Sequence, residues 1–94
     1  MYLRLVRFTL SEGSRSRAQA MADDLIPAIK EQPGCISAMF FGGEEDGESG
    51  ICVVWDSREH ADAAAAVISP RLEQHLAGNV TGPPDRRLFL VIAS

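Results

Sequence analysis

The run Ile51-Cys52-Val53-Val54-Trp55 has no polar position on either side of it. Side chains of a β-strand point alternately to the two faces of its sheet, so such a strand needs cover on both. Ile51, Val53 and Trp55 point one way, Cys52 and Val54 the other. In Arg87–Ala93, Leu88, Leu90 and Ile92 oppose Phe89, Val91 and Ala93. In Cys35–Phe41, Ile36, Ala38 and Phe40 are set against Cys35, Ser37, Met39 and Phe41. Any fold of these strands must bury both faces of its sheet.

The remaining elements follow from periodicity and punctuation. Tyr2–Leu10 is dense in leucine, aromatic and β-branched residues, ends at the turn Ser11-Glu12-Gly13, and reads as a strand. Ser14 is placed to cap a helix in which Ala18, Met21, Ala22, Leu25, Ile26 and Ile29 share one face. Pro27 predicts a kink in that helix, and Pro33-Gly34 its stop. Cys35–Phe41 and Ile51–Trp55 are the second and third strands. The loop Gly42–Gly50 between them carries Glu44, Glu45, Asp46 and Glu48. It lacks the alternating ligands and closing glutamate of a calcium loop, so it reads as a solvated tip with no metal.

Ser57 is placed to cap a second helix with Ala61, Ala64, Ala65 and Ile68 on one side. Ser69-Pro70 repeats a helix-start signature, which predicts a break or bend and a restart through Leu72 and Leu76 to Gly78. Asn79–Pro84 is a loop, and Arg87–Ala93 is the last strand.

The order β-α-β-β-α-β, with right-handed crossovers, places both helices on one face of a four-stranded antiparallel sheet. This is an α+β, ferredoxin-like plan, expected as one domain over 1–94. The helix-free face is apolar and the chain has no residues left to cover it. A second copy of the same sheet is the expected cover, giving a two-fold homodimer.

With 13 Asp plus Glu against 9 Lys plus Arg, the formal charge is −4. An acidic balance gives no footprint for nucleic acid or an anionic membrane surface. The longest apolar run, Ala63–Ile68, is far short of the ~20 residues of a membrane span. Arg4 and Arg7 interrupt the first apolar run, so no secretory leader is expected and the location is taken as cytoplasmic. Cys35 and Cys52 sit in apolar runs, where cysteine behaves as a small hydrophobe; a redox or nucleophilic role is the alternative.

Several short pieces, in order, carry a family resemblance. They are Val6-Arg7-Phe8-Thr9-Leu10 running into Ser-Glu-Gly, Pro33-Gly34-Cys35, Val54-Trp55-Asp56-Ser57-Arg58-Glu59 and Ser69-Pro70-Arg71-Leu72. The chain resembles the antibiotic-biosynthesis monooxygenase family of dimeric α/β barrels. That resemblance implies two sheets packed face to face in a dimer. It also implies, for some members, oxidation of anthrone-type aromatics by molecular oxygen without flavin, metal or haem. Other relatives degrade haem, oxidise quinols, isomerise lactones or bind amino acids, so the scaffold alone does not fix the activity. At the position matching a helix-two histidine common in the family, this chain has Ala64. The asparagine and second tryptophan of the haem-degrading branch are also missing, with Val6 and Ala64 in the matching neighbourhoods.

Candidate site residues follow from chemistry. His75 leans toward the apolar stripe of Leu72 and Leu76, where a histidine can shuttle protons near neutral pH; a ring held by a backbone acceptor is the alternative. His60 reads as a surface residue. Arg4 and Arg7 lie on opposite faces of the first strand, and one could stabilise an enolate or phenolate in a cavity, the other reading being a rim or interface ion pair. Trp55 reads as core or as a stacking surface, Tyr2 as a donor to a bound carbonyl, and Ser37 as a polar group lining a pocket. The catalytic candidates are thus His75 and Arg4, and the substrate-binding candidates Trp55, Tyr2 and Ser37. No cofactor and no metal are expected.

Two functions are consistent with these residues. One is a cofactor-independent monooxygenase acting on a polycyclic aromatic or quinol-type substrate in an apolar cavity between sheet and helices. The other is a non-catalytic dimeric barrel that binds a small ligand or a partner protein.

Overall fold

The computed structural model describes residues 1–44 and 46–94; Glu45 of the acidic loop lies outside the described residues. Strands β1 (Tyr2–Thr9), β2 (Cys35–Gly42), β3 (Glu48–Trp55) and β4 (Asp85–Leu90) form one antiparallel sheet in the order β2-β3-β1-β4. Helices α1 (Ala18–Lys30) and α2 (Arg58–Leu76) supply the two crossovers. This is the ferredoxin-like α+β arrangement expected from the element order. Among the described residues no helix is long and apolar enough to cross a membrane.

The core lies between the helices and one sheet face. Val6 and Phe8 of β1 and Ile51, Val53 and Trp55 of β3 are buried there. They pack with Met21, Leu25 and Ile29 of α1 and with Ala61, Ala64, Ile68, Leu72 and Leu76 of α2. Each fully buried large apolar side chain contributes about 1.5–3 kcal/mol.

Register assigns every strand residue to a face. Ser37, Val54, Leu3 and Phe89 form one row across the side away from the helices, and Met39, Cys52, Leu5 and Arg87 the next. Met39 and Phe89 stand 57% and 40% exposed, far beyond what large apolar residues show in a closed core. In β2 the split of faces differs from strict alternation. The register shifts between Cys35 and Ser37, so Cys35 packs with Ala38 and Phe40 against the core and Ile36 is thrown out. A bulge inserts one residue and reverses the parity of everything before it.

Several boundaries also differ, each for a tertiary reason. Ser14 caps no helix: a 3-10 turn over Glu12–Arg17 leads into α1, and the buried Ser14 hydroxyl lies 2.8 Å from Asn79 Oδ1 beyond the end of α2. β3 starts at Glu48, because Gly50 lets the Phe41 ring lie over it where a Cβ would collide. β4 ends at Leu90, since β1 offers no partner beyond Tyr2 and the last bond is Val91 N–H to Met1 O at 3.0 Å. α2 runs unbroken through Pro70, whereas α1 continues past Pro27 to Lys30 as its apolar stripe predicts. In α2 the buried stripe of Ala64, Ile68, Leu72 and Leu76 continues across the proline, and its packing offsets the lost hydrogen bond. Ser57 is the cap expected, its hydroxyl accepting from His60 N–H at 3.1 Å.

The two helices are tied by one carboxylate. Asp24 of α1 accepts from Arg71 Nε at 2.9 Å, from Arg71 Nη2, and from His75 Nε2 at 2.7 Å. The Arg71 guanidinium, and after it the His75 ring, hold the Asp24 carboxyl well below the usual carboxylate range. A carboxyl whose pKa is depressed on folding stabilises above its unfolded value of about 3.9 and loses that contribution as pH falls through the folded value. Wild type is therefore expected to be more stable than Asp24→Asn at pH 7, with the gap closing as pH falls below about 4. Urea unfolding at a series of pH values checks this; a gap independent of pH would contradict it.

Candidate functional site

A cavity of about 230 Å³ lies between the sheet and α2. Its floor is the core face of three strands: Arg4 and Val6 of β1, Ile51, Val53 and Trp55 of β3, and Arg86 of β4. Its roof is α2, with Ala61, Ala64 and Ala65 followed by Ile68, Ser69 and Leu72, and Ile29 of α1 closes one side. The space has a simple origin. Small side chains occupy the first half of the α2 stripe, and Ile68 and Leu72 fill the gap only further along.

The polar groups of the lining are few. Arg4 pairs with Val53 and Leu88 in the sheet, and its Nη2 reaches Asp62 Oδ1 at 3.2 Å. Its Nε is buried with no hydrogen-bond partner among the described residues. Arg86, opposite Val6, reaches Glu73 Oε1 through Nη2 at 3.4 Å. Ser69 and Trp55 are the other lining residues whose side chains carry a polar group. Among the described residues, no carboxylate, histidine or cysteine belongs to the lining. A second, more open groove of about 560 Å³ adjoins it, lined by Glu73, Leu76 and the turn Gly82-Pro83-Pro84, and Arg86 borders both spaces.

Of the residues singled out in the sequence, Arg4 and Trp55 are brought together at the cavity. Tyr2 lies on the same sheet face, in the row of Trp55, but outside the lining. Ser37 lies on the opposite, helix-free face and is exposed. His75 stands outside the lining with its ring against Asp24, and His60 Nδ1 donates to Asp56 Oδ1 at 2.6 Å, which holds that carboxyl below its usual range. Both cysteines are free, and burial pushes the Cys35 thiol up, disfavouring the nucleophilic thiolate. Arg86 and Ser69 were missed. Alternation back from Leu88 and Leu90 was the available signal for Arg86, and the α2 stripe spacing from Ala65 that for Ser69.

Residues 1–66 match the model of the antibiotic biosynthesis monooxygenase family. The chain belongs to that family. No curated protein matches it significantly. Among solved structures it is similar to a Nitrosomonas europaea protein of unknown function, at 14% identity and TM-score 0.87, covering 99% of this chain and 90% of that one. A cofactor-independent oxygenase from Streptomyces nogalater matches at 18% identity and TM-score 0.80, over 99% of this chain and 94% of that one. A monooxygenase from Streptomyces coelicolor, solved in complex with nanaomycin D, matches at 18% identity and TM-score 0.77, over 99% and 88% respectively. At such identities the likeness is one of fold. Ala64, the position at which the family resemblance implies a histidine, stands on the cavity wall. The chemistry available is therefore that of guanidinium groups in an apolar enclosure: holding an anion and excluding water.

Proposed function

We propose that this chain, as one domain over 1–94, is a cofactor-independent monooxygenase of small aromatic substrates with an acidic C–H or phenolic O–H, working in the cytoplasm as a homodimer. The observation that carries the reading is the apolar cavity with Trp55 and Arg4 on its floor and an unpartnered Arg4 Nε. A cavity of about 230 Å³ is below the usual range of small-molecule pockets and suits one planar molecule of about two or three rings.

Arg4 would hold the enolate or phenolate oxygen of the ionised substrate, whose proton passes to solvent, while Trp55 stacks on the ring. Low-polarity walls strengthen the guanidinium's pull on that oxyanion. The substrate carbanion is itself the reductant of oxygen. Conversion of a ring CH₂ to C=O supplies four electrons; one oxygen atom enters the product and the other leaves as water with both hydrogens. The helix-free face, with Leu3, Leu5, Met39, Val54 and Phe89, would pack on the same face of a second copy.

Oxygen uptake with anthrone and naphthohydroquinones is the test. Turnover above buffer autoxidation, with one oxygen consumed per ring CH₂ converted to C=O and no peroxide released, is expected for anthrone. Uptake no faster than buffer for every substrate would reject the activity. The lining's lack of any carboxylate, histidine or cysteine favours a second reading, a ligand-binding barrel, and ligand binding without turnover would establish that one.

A further inference from the structure

We infer that Arg86 is a specificity residue that selects a carboxylate, so that the ligand of this cavity is a phenolic or enolisable aromatic acid. The inference rests on the reading of the cavity as a substrate site and names the class of substrate more closely. The chain has more acids than bases, 13 to 9, yet the ionisable residues lining the cavity are two arginines and no carboxylate. Arg4 pairs with Leu88 and Arg86 with Val6, so the two arginines are diagonal neighbours on one face of adjacent strands. Such neighbours lie about 7–8 Å apart at the backbone, close enough for like charges in an apolar setting to repel. What compensates them is slight. Each meets a single oxygen of a surface acid, Asp62 at 3.2 Å and Glu73 at 3.4 Å, and those acids are 59% and 64% exposed. Exposed pairs of this kind contribute little. Two arginines on neighbouring strands of one cavity floor, each only weakly compensated, match a ligand with two anionic groups.

The two positions are not equivalent. Arg4 is the more enclosed, with 22% of its side chain exposed against 33% for Arg86. Its buried, unpartnered Nε suits an oxyanion that forms only in the cavity. Arg86 borders both the cavity and the outer groove. A permanently charged carboxylate there would keep part of its hydration at the mouth while taking the planar, two-pronged donor set that arginine offers. Glu73, on the groove side, competes for the same guanidinium.

Titration calorimetry at pH 7 with 6-hydroxy-2-naphthoate and its methyl ester tests this. Wild type is expected to bind the acid about tenfold more tightly than the ester, the scale of one partly exposed charge-assisted contact. Arg86→Gln should abolish that preference while leaving the ester's affinity within about twofold, and Arg86→Lys should retain part of it. Glu73→Gln, which frees Arg86, should tighten the acid by about two- to fivefold and leave the ester unchanged. Equal binding of acid and ester by wild type, or equal weakening of both by Arg86→Gln, would overturn this inference and leave the cavity reading standing. Binding of neither ligand would overturn both.

Discussion

A Val54→Asp chain is expected to run as a monomer at micromolar concentration, where the proposed assembly has wild type running as a dimer. Val54 lies on the interior strand β3, in the row Ser37, Val54, Leu3 and Phe89 of the helix-free face. In a two-fold dimer built on that face, the substitution places one new carboxylate from each copy in the seam. Removing a carboxylate from water costs several kcal/mol per ion, and Arg87, whose guanidinium lies over Phe89, is on β4, two strands away from Val54. The dissociation constant is therefore expected to rise by about a thousandfold or more. Sedimentation equilibrium on both proteins, with circular dichroism to show that the variant keeps its helices, checks the claim. A wild type that is monomeric at these concentrations, or a Val54→Asp chain that stays dimeric, would remove the dimer from the proposal.

If the chain is the proposed monooxygenase, Arg4→Ala should cut kcat by about 10²–10³, the usual cost of removing one donor to a developing oxyanion. KM should move much less, because the oxyanion develops only as the substrate ionises. Arg4→Lys keeps the charge but loses the Nε donor, and should fall between the two. The fold should tolerate either change, since among the described residues the side chain's one hydrogen bond is to the exposed Asp62. Steady-state oxygen uptake for the three proteins, with thermal melts alongside, gives the answer. A loss of only a few-fold in kcat would place the oxyanion elsewhere.

How far the sequence reaches can be seen at particular residues. Ile51–Trp55 correctly implies a sheet with two apolar faces, and the alternation there survives intact because β3 is flanked by partners on both sides. In Cys35–Phe41 the same reasoning fails at Ile36. Nearly every residue there is apolar, so a slip of one leaves no mark in the pattern, and only pairing with β3 reveals the bulge. Ser14 carries a cap signature, but its hydroxyl is taken by Asn79, 65 residues away in sequence, a partner that local chemistry does not announce.

The site divides in the same way. Arg4 could be found because an arginine inside an apolar strand is conspicuous. Arg86 was missed because a strand taken to start at Arg87 leaves it in a loop; alternation back from Leu88 marks its face only once the strand is extended to Asp85, as the register against Val6 requires. His75 does lean toward the α2 stripe, but Asp24 of the other helix captures its ring.

Trp55 is the chain's one tryptophan, and it is 3% exposed on the cavity floor. All the indole emission of the molecule therefore arises a few atoms from where a ligand would sit. No label or engineered reporter is needed to watch the cavity fill. A quinone-type product, which accepts excitation energy or an electron from indole, would darken the protein as it forms and brighten it again on release, making single turnovers visible by stopped-flow fluorescence.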